Sequence, residues 1–386
     1  MRQLFEFFRQ IDPTHHATRL IFLIVGASCA VWAALVPFLK VRLGVDEAQL
    51  GLLLLCLGAG SLCVMPFTGT LVARFGCRRV IAVALSASLV ALPLIATVSS
   101  VWVAAIVIAS YGALVGAADV AMNIQSVIVE KRSGRAMLSG FHAMYSVGGL
   151  LGALCVTLLF NFNLKELATV VVMLVIFVVG LLYAVPRCIE RPETDVHHDE
   201  RPKNGRLSGY VVFVGVLCFV MFLTEGSVMD WSAVYLRDVS GLDAENAALG
   251  FAFFSATMTV GRLTGDRIIA CLGRQKTVLW GGALSSLAFA LLASGLDGWL
   301  ALIVFALIGI GASNLVPVFF WAAGNQREMP VEQAMATAST LGYAGILAGP
   351  AAIGFVAHAV SLPFAFGIVS AMVAVVSLSS YFIRKE

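Results

Sequence analysis

The chain has 386 residues, of which 60% are hydrophobic and only 12% are charged. Soluble globular proteins carry roughly 25% charged residues, so this composition excludes a soluble globular protein. The net charge of +3 says little about binding partners, but the positions of the basic residues are informative. Each membrane crossing takes about 20 apolar residues plus a loop, so the chain has room for about twelve crossings.

Long apolar runs separated by short polar clusters predict twelve membrane-spanning helices. Backbone groups in hydrocarbon must be hydrogen-bonded internally, which leaves helices or closed barrels. The runs are much longer than barrel strands and do not alternate with polar residues, so we expect an all-α polytopic membrane protein. The predicted spans are 17–40, 48–73, 79–98, 102–130, 136–160, 166–187, 209–236, 246–270, 277–295, 299–324, 331–357 and 362–383.

The basic residues give these helices an orientation. If both ends of the chain are cytoplasmic, 21 of the 25 Lys and Arg residues fall in cytoplasmic segments. The four on the opposite side are Lys40, Arg42, Lys165 and Arg237. The positive-inside rule therefore favours cytoplasmic termini, which require an even number of spans.

The longest polar stretch divides the chain almost evenly. We expect an N-terminal six-helix bundle over 1–187, a cytoplasmic linker over 188–208 and a C-terminal six-helix bundle over 209–386. The linker contains His197 and His198, which we interpret as solvated because no further ligands stand at a useful spacing. The eight cysteines form no CxxC pair, so neither a disulfide nor a metal site is predicted.

Each half carries a turn rich in glycine and arginine after its second span. Glycine allows the tight reversal, and cations hold the loop on the cytoplasmic side. The recurrence at matching places indicates an internal repeat. The residues concerned are Gly69, Arg74, Gly76 and Arg78 in the first turn and Arg262, Asp266 and Arg267 in the second.

The two turns resemble the cytoplasmic loop signature of the major facilitator superfamily, Gly-x-Leu-x-x-Asp-Arg followed by glycine and basic residues. The first turn has Ala73 where the family usually has aspartate, whereas the second keeps Asp266. Stretches around Asp119, Phe141 and Glu225 resemble a bacterial branch described as YbjJ-like or fucose-permease-like. The resemblance implies two pseudo-symmetric six-helix bundles, a transport function in the bacterial inner membrane, and a cytoplasmic gate at the turns.

Two acidic residues lie in the seventh span. A charge inside the bilayer costs on the order of 3 kcal/mol, so such residues face a cavity or a partner. Glu225 is about 24 Å from the cytoplasmic end, and Asp230 points roughly 140° away from it. We interpret Glu225 as a proton-coupling group, with a structural ion pair to Arg237 or to a neighbouring helix as the alternative. Asp230 either shares that role or caps the extracellular side.

The fourth span carries a polar stripe, with Asp119, Asn123, Ser126 and Glu130 on one helical face. Such a stripe is buried among helices or lines water. We expect Glu130 to be solvated. The deeper Asp119 and Asn123 are candidates for the substrate or coupling site. Alternatively, Asp119 pairs with Arg74 in a cytoplasmic gate, as an acid on this helix does in resembling proteins.

Four further residues within the spans are candidates for a substrate site. His142 either participates in binding or is a satisfied hydrogen-bonding residue. The two tryptophans either stack on a substrate or act as interfacial anchors. The four residues are Trp32, His142, Asn314 and Trp321.

The sequence lacks the phosphate-binding, metalloprotease and nucleophile-elbow motifs, which leaves an ion gradient as the energy source. We predict a secondary active transporter, not an enzyme, that moves a small polar or amphipathic organic solute by alternating access. The proton is the expected coupling ion. We expect a monomer in lipid without a cofactor, metal or nucleic-acid partner. The alternatives are a drug or metabolite efflux antiporter instead of an uptake symporter, and a non-transporting receptor or scaffold.

Overall fold

The computed structural model describes residues 13–190, 207–243, 246 and 249–384, and this part of the chain is helical without any strand. Most of the predicted linker, including His197 and His198, lies outside the described residues. The helices are α1 Pro13–Leu43, α2 Glu47–Phe75, α3 Cys77–Ile95, α4 Val101–Ser133, α5 Leu138–Asn161, α6 Glu166–Ala184, α7 Gly209–Asp238, α8 Leu249–Leu272, α9 Arg274–Ala293, α10 Leu300–Ala312, α11 Leu315–Asn325, α12 Val331–Ala359 and α13 Leu362–Leu378.

The long helices are apolar enough for a membrane protein. Within the described ranges, 11 segments are long and apolar enough to cross a membrane, with α10 and α11 counted together. Helix α8 is the remaining long helix, with 24 residues, and its charged residues Arg262, Asp266 and Arg267 lie close together and lower its hydropathy. At 1.5 Å per residue it is about 36 Å long, enough for a hydrocarbon core of about 30 Å. The predicted all-α polytopic fold is confirmed.

The predicted span 299–324 corresponds to the membrane segment Leu300–Asn325, in which a break at Ser313 and Asn314 separates α10 from α11. Asn314 leaves the helical region, with φ −107° and ψ 1°. Its side chain donates to the Ser313 hydroxyl over 2.9 Å, and such local bonds of Ser and Asn compete with the helical backbone. Pro317 lies in the first turn of α11, where its missing N–H is tolerated.

Contacts between Cα atoms divide the chain into two compact units. Each unit contains a short segment from the opposite half of the sequence. The start of α5 belongs to the second unit, and the start of α12 belongs to the first. Among the described residues, the first unit comprises 13–134, 144–190 and 330–336, and the second comprises 135–143, 207–243, 246, 249–329 and 337–384.

The internal repeat is visible in the helix pairs of each unit. Helix α4 packs on α2 and α3 in the first unit, and α10 packs on α8 and α9 in the second. A Cβ atom at Gly112 would overlap the Leu57 carbonyl, and one at Gly309 would overlap the Phe254 carbonyl. Glycine therefore allows the same close crossing in both units.

The two turns also repeat in backbone geometry. Gly76 joins α2 to α3 with φ 84° and ψ 158°, and Gly273 joins α8 to α9 with φ 78° and ψ 158°. Positive φ favours glycine, which explains why both turns contain it at this point.

Candidate functional site

The second unit contains a buried ion pair between α7 and α8. Arg262 Nη2 lies 3.0 Å from Glu225 Oε1, and the side chains are 9% and 19% exposed. Among the described residues, Arg262 is the one charged partner of Glu225. Arg237, the partner considered from the sequence, instead binds the adjacent Asp238 at 2.6 Å. Glu225 is therefore held by a neighbouring helix.

The ion pair lies at the break between α10 and α11. Arg262 Nε donates to the Ser313 carbonyl over 3.3 Å. Asn314 donates from Nδ2 to the Gly261 carbonyl over 3.1 Å, and its buried Oδ1 accepts no hydrogen bond from the described residues. Gly265 leaves room for this carboxamide, because a Cβ there would overlap Oδ1. The break thus supplies one backbone acceptor to Arg262 and one amide oxygen that is available for a ligand.

His142 completes this group of polar residues. It belongs to the part of α5 that packs in the second unit, and its ring centroid lies 5.7 Å from that of Phe320. It is close enough to Arg262 for the two to interact electrostatically. We call Glu225, Arg262, His142 and Asn314 the ion-pair cluster.

Asp266 lies one helical turn after Arg262 and contacts the start of α5. Its Oδ2 accepts a hydrogen bond of 3.1 Å from the N–H of Gly140, the third residue of that helix. A carboxylate is favourable at a helix N-terminus because the first N–H groups have no partner within the helix. Arg267 is exposed. The second turn therefore holds α5 through Asp266.

The first turn makes different contacts within the first unit. Gly69 lies against the start of α12, where a Cβ would overlap the Glu332 carbonyl. Arg74 is exposed, with its guanidinium 5.2 Å from the centroid of the adjacent phenylalanine ring. Arg78 forms an ion pair of 2.7 Å with Glu190 at the beginning of the predicted linker. This turn contacts α12 through backbone packing instead of a carboxylate.

The polar stripe of α4 is buried throughout. Asp119 is 8% exposed and Asn123 is 1% exposed. Asn123 Nδ2 donates to the Asp119 carbonyl over 2.9 Å, and Ser126 donates to the Asn123 carbonyl over 2.8 Å. The expected solvation of Glu130 is wrong, because this residue is also buried. Packing of α4 against three other helices explains the burial.

Trp32 lies in a group of aromatic and polar residues of the first unit. Its ring centroid is 5.8 Å from that of Tyr111, whose hydroxyl lies 3.1 Å from the Ser28 hydroxyl. Cys29 lies on the same helix as Trp32, and its sulfur accepts a hydrogen bond of 3.5 Å from the Tyr145 hydroxyl. Trp32 is thus packed on a tyrosine and half-buried.

The remaining predicted residues, Asp230 and Trp321, lie outside the ion-pair cluster and outside the polar stripe of α4. Asp230 is exposed, and the adjacent Trp231 has a buried Nε1 without a hydrogen-bond partner in the described ranges. The Arg274 guanidinium lies 3.7 Å from the ring centroid of Trp321, so this tryptophan contacts the second turn. Arg274 belongs to the stretch of basic residues that follows the second turn in the sequence, and it is the first residue of α9.

Comparisons with known proteins identify the family. Residues 20–326 match the model of the Major Facilitator Superfamily. An uncharacterized MFS-type transporter of Yersinia pestis is 48% identical over 365 residues, which cover 94% of each chain. An uncharacterized transporter of Sinorhizobium fredii is 34% identical, with 92% of this chain and 94% of that protein covered. A crystal structure of the Escherichia coli fucose:proton symporter FucP shares the fold, with a TM-score of 0.81 at 15% identity, covering 96% of this chain and 98% of that one. The chain therefore belongs to the Major Facilitator Superfamily of membrane transporters.

Proposed function

We propose that the chain is a proton-coupled secondary transporter that moves a small polar or amphipathic organic solute across the bacterial inner membrane. Both termini are cytoplasmic in this proposal, and the bundles 1–187 and 209–386 alternate access to the solute. Family membership supports transport, and a fucose:proton symporter with the same fold supports the proton as coupling ion.

The observation that carries the proposal is the ion pair between Glu225 and Arg262. An acid inside a membrane protein is costly, so its presence calls for a role. Glu225 has one charged partner among the described residues and keeps 19% of its side chain exposed, which supports its proposed accessibility to a proton. Protonation removes the charge on Glu225 and leaves that on Arg262, which changes the interactions that hold α7 to α8. A proton thereby biases one conformation over another.

The other candidate residues have assigned roles within their own units. In the first unit, Asp119, Asn123 and Trp32 are proposed to contact the solute. In the second unit, His142 and Asn314 are proposed to do so. Asp230 is proposed to act at the extracellular end of α7, and Trp321 at the second turn.

We also propose that the two turns control the cytoplasmic gate. Asp266 is the main gating residue in this proposal, because it bonds the start of α5. The glycines and arginines of the turns set their geometry and orientation. These glycines and arginines are Gly69, Arg74, Gly76, Arg78, Arg262 and Arg267.

A transport measurement tests the coupling role. A panel of sugars, organic acids and cations is first screened for thermal stabilisation of the purified protein, since a ligand of the folded state raises Tm. In proteoliposomes, Glu225→Gln should lose accumulation driven by a pH gradient, by at least about tenfold, but keep solute exchange. The direction of proton flux distinguishes uptake symport from efflux antiport.

Two conservative variants serve as controls. Asp230→Asn tests the exposed acid of α7 that lies outside the ion-pair cluster, and loss of accumulation in this variant alone would transfer the coupling role to Asp230. Asp119→Asn tests the buried acid of the first unit. Full pH-driven accumulation by Glu225→Gln would reject the coupling role of Glu225, and loss in Asp119→Asn alone would transfer that role. Absence of any solute movement by the unaltered protein would favour a receptor or scaffold.

A further inference from the structure

The third helix of each half, α3 in the first unit and α9 in the second, carries the same row of exposed residues. Each residue of the row in α9 stands 197 positions after its counterpart in α3, as Gly273 of the second turn does after Gly76 of the first. All eight members are exposed, and we call each set of four the exposed stripe of its helix. The corresponding residues are Arg79 and Lys276, Val83 and Trp280, Val90 and Leu287, and Leu94 and Leu291.

The members of each stripe lie on one face of their helix. An α-helix has 3.6 residues per turn, so the spacing within each stripe places its members within about 60° of one another. Their large apolar side chains are 40% to 68% exposed. Between the ends of the stripes, the further exposed residues are the small Ser86 in α3 and Ala290 in α9. At 1.5 Å per residue, each stripe is about 22 Å long.

A cation stands at the start of each stripe. Neither Arg79 nor Lys276 forms an ion pair with another described residue, whereas the adjacent Arg78 is paired with Glu190 at 2.7 Å. Helices α3 and α9 contain no acidic residue that could compensate these charges. The positive-inside rule accounts for cations at the two turns. It does not account for a cation at the start of the same apolar stripe in both units.

A phospholipid has a charged head and an apolar chain in the same order as the stripe. Arginine and lysine both bind phosphate oxygens, arginine through two parallel N–H groups and lysine as a point charge. The hydrocarbon core is about 30 Å thick, so a stripe of about 22 Å can line one acyl chain through its whole leaflet. Trp280 lies about one turn below Lys276, and tryptophan is enriched at the level of the headgroups because its indole N–H finds a polar partner there.

We propose that α3 and α9 each bind one anionic phospholipid, with its phosphate on Arg79 or Lys276 and one acyl chain along the exposed stripe. A zwitterionic lipid brings a second cation close to the same side chain, so an anionic headgroup is favoured. A free phosphate would reach the cation but gain nothing from the apolar residues. The proposal goes beyond the proposed function, because it depends neither on the transported solute nor on proton coupling.

The test measures bound lipid on the full chain in detergent by native mass spectrometry. The probes are phosphatidylglycerol and phosphatidylcholine with identical oleoyl chains, and glycerol phosphate as a headgroup without chains. Two phosphatidylglycerol molecules should bind per chain, about fivefold more tightly than phosphatidylcholine, which is the effect of one cation near an anionic headgroup. Glycerol phosphate at the same concentration should not displace them. Equal binding of the two lipids, or displacement by glycerol phosphate, would overturn the proposal.

Exposed-residue variants locate the two sites. Arg79→Gln and Lys276→Gln should each remove the preference for phosphatidylglycerol at one site, and the double variant should remove it at both. Leu287→Asn keeps Lys276 but places an amide against the acyl chain, so it should also weaken the site on α9. Lys165→Gln is the matched control, because this exposed lysine is followed four residues later by the buried Thr169 instead of an exposed apolar residue. An equal loss in Lys165→Gln, or an unchanged preference in the double variant, would reject the sites.

Discussion

The helix pairs α2–α4 and α8–α10 occupy corresponding places in the two units, yet they carry different chemistry. Helix α2 has no acidic or basic residue from Gln49 to Ala73, and its partner α4 runs unbroken for 33 residues. Helix α8 carries Arg262 and Asp266, and its partner α10 ends at Ala312, where a break separates it from α11. An unbroken helix satisfies its own backbone, whereas a break frees a carbonyl that another group must satisfy. The repeat therefore keeps the helix packing, whereas the buried charges lie on different helices, Asp119 and Glu130 on α4 in the first unit and Arg262 on α8 in the second.

The largest expected effect comes from breaking the ion pair of the second unit. Arg262→Ala leaves Glu225 without its charged partner and should destabilise the protein by about 3 kcal/mol, as for other buried pairs. The comparison in the first unit is Arg42→Ala, which removes a more exposed pair with Glu166 and should cost about 1 kcal/mol. Denaturant unfolding in detergent measures both. Equal losses would contradict a special role for charge in the second unit.

The next largest effect is the loss of stability when a side chain is added at a close helix crossing, and it should be the same in both units. A Cβ at Gly112 or at Gly309 meets backbone atoms of the facing helix, which cannot rotate away. Alanine at either position should therefore cost about 2 kcal/mol through overpacking. Gly209→Ala is the control, because nothing lies within 4 Å of the added atom. A shift in Tm at one crossing alone would show that the two pairs are not equivalent.

A smaller effect distinguishes the two turns. Asp266→Asn keeps a hydrogen-bond acceptor but removes the charge at the start of α5, so it should loosen residues 138–141 by about 0.5–1 kcal/mol. Hydrogen exchange of these amides should become about two- to fivefold faster, and transport should change more than solute binding. Ala73→Asn in the first turn is the matched control and should leave these amides unchanged. Unaltered exchange in Asp266→Asn would remove the gating assignment.

The smallest effect concerns acid stability at the end of the linker. Hydrogen bonds from Ser208 and then Arg384 hold the pKa of the Glu328 carboxyl below its ordinary value of 4.5. The resulting stabilisation is complete above pH 4.5 and is lost as the pH falls through the lowered pKa. Because the pair is exposed, we expect at most about 1 kcal/mol. Glu328→Gln should make Tm less dependent on pH below 4.5, and an unchanged acid profile would contradict the assignment.

Much of the fold follows from the sequence because a membrane leaves few choices. The apolar runs and the basic residues locate the helices, and the twin turns indicate the repeat. The break at Ser313 and Asn314 was missed because the surrounding run is uniformly apolar. Pro317 gave a partial signal, but proline near a helix start needs no break. The distortion depends on side-chain bonds to Gly261, which is distant in sequence.

The ion pair was harder to predict than the residues that form it. The sequence identifies Glu225 as a candidate, but it places Arg262 in the turn because the neighbouring residues of Arg262 are there. Helical periodicity defines the face of one helix and gives no information on which neighbour it meets. The depth of each residue in the membrane indicates which charged residues on different helices can meet. Glu225 lies about 24 Å and Arg262 about 15 Å from the cytoplasmic ends of their helices, a difference that a long arginine side chain bridges.

The exchange of short segments between the units has a consequence for biosynthesis. Residues 135–143 are translated long before Asp266, the side chain that caps their helix. At about 5–20 residues per second, the interval is roughly 6–25 s. During this time the nascent first half carries a helix start without its native acceptor. The translocation machinery must therefore accommodate an incomplete N-terminal half, and the chain reaches its final packing only when the second half has been inserted.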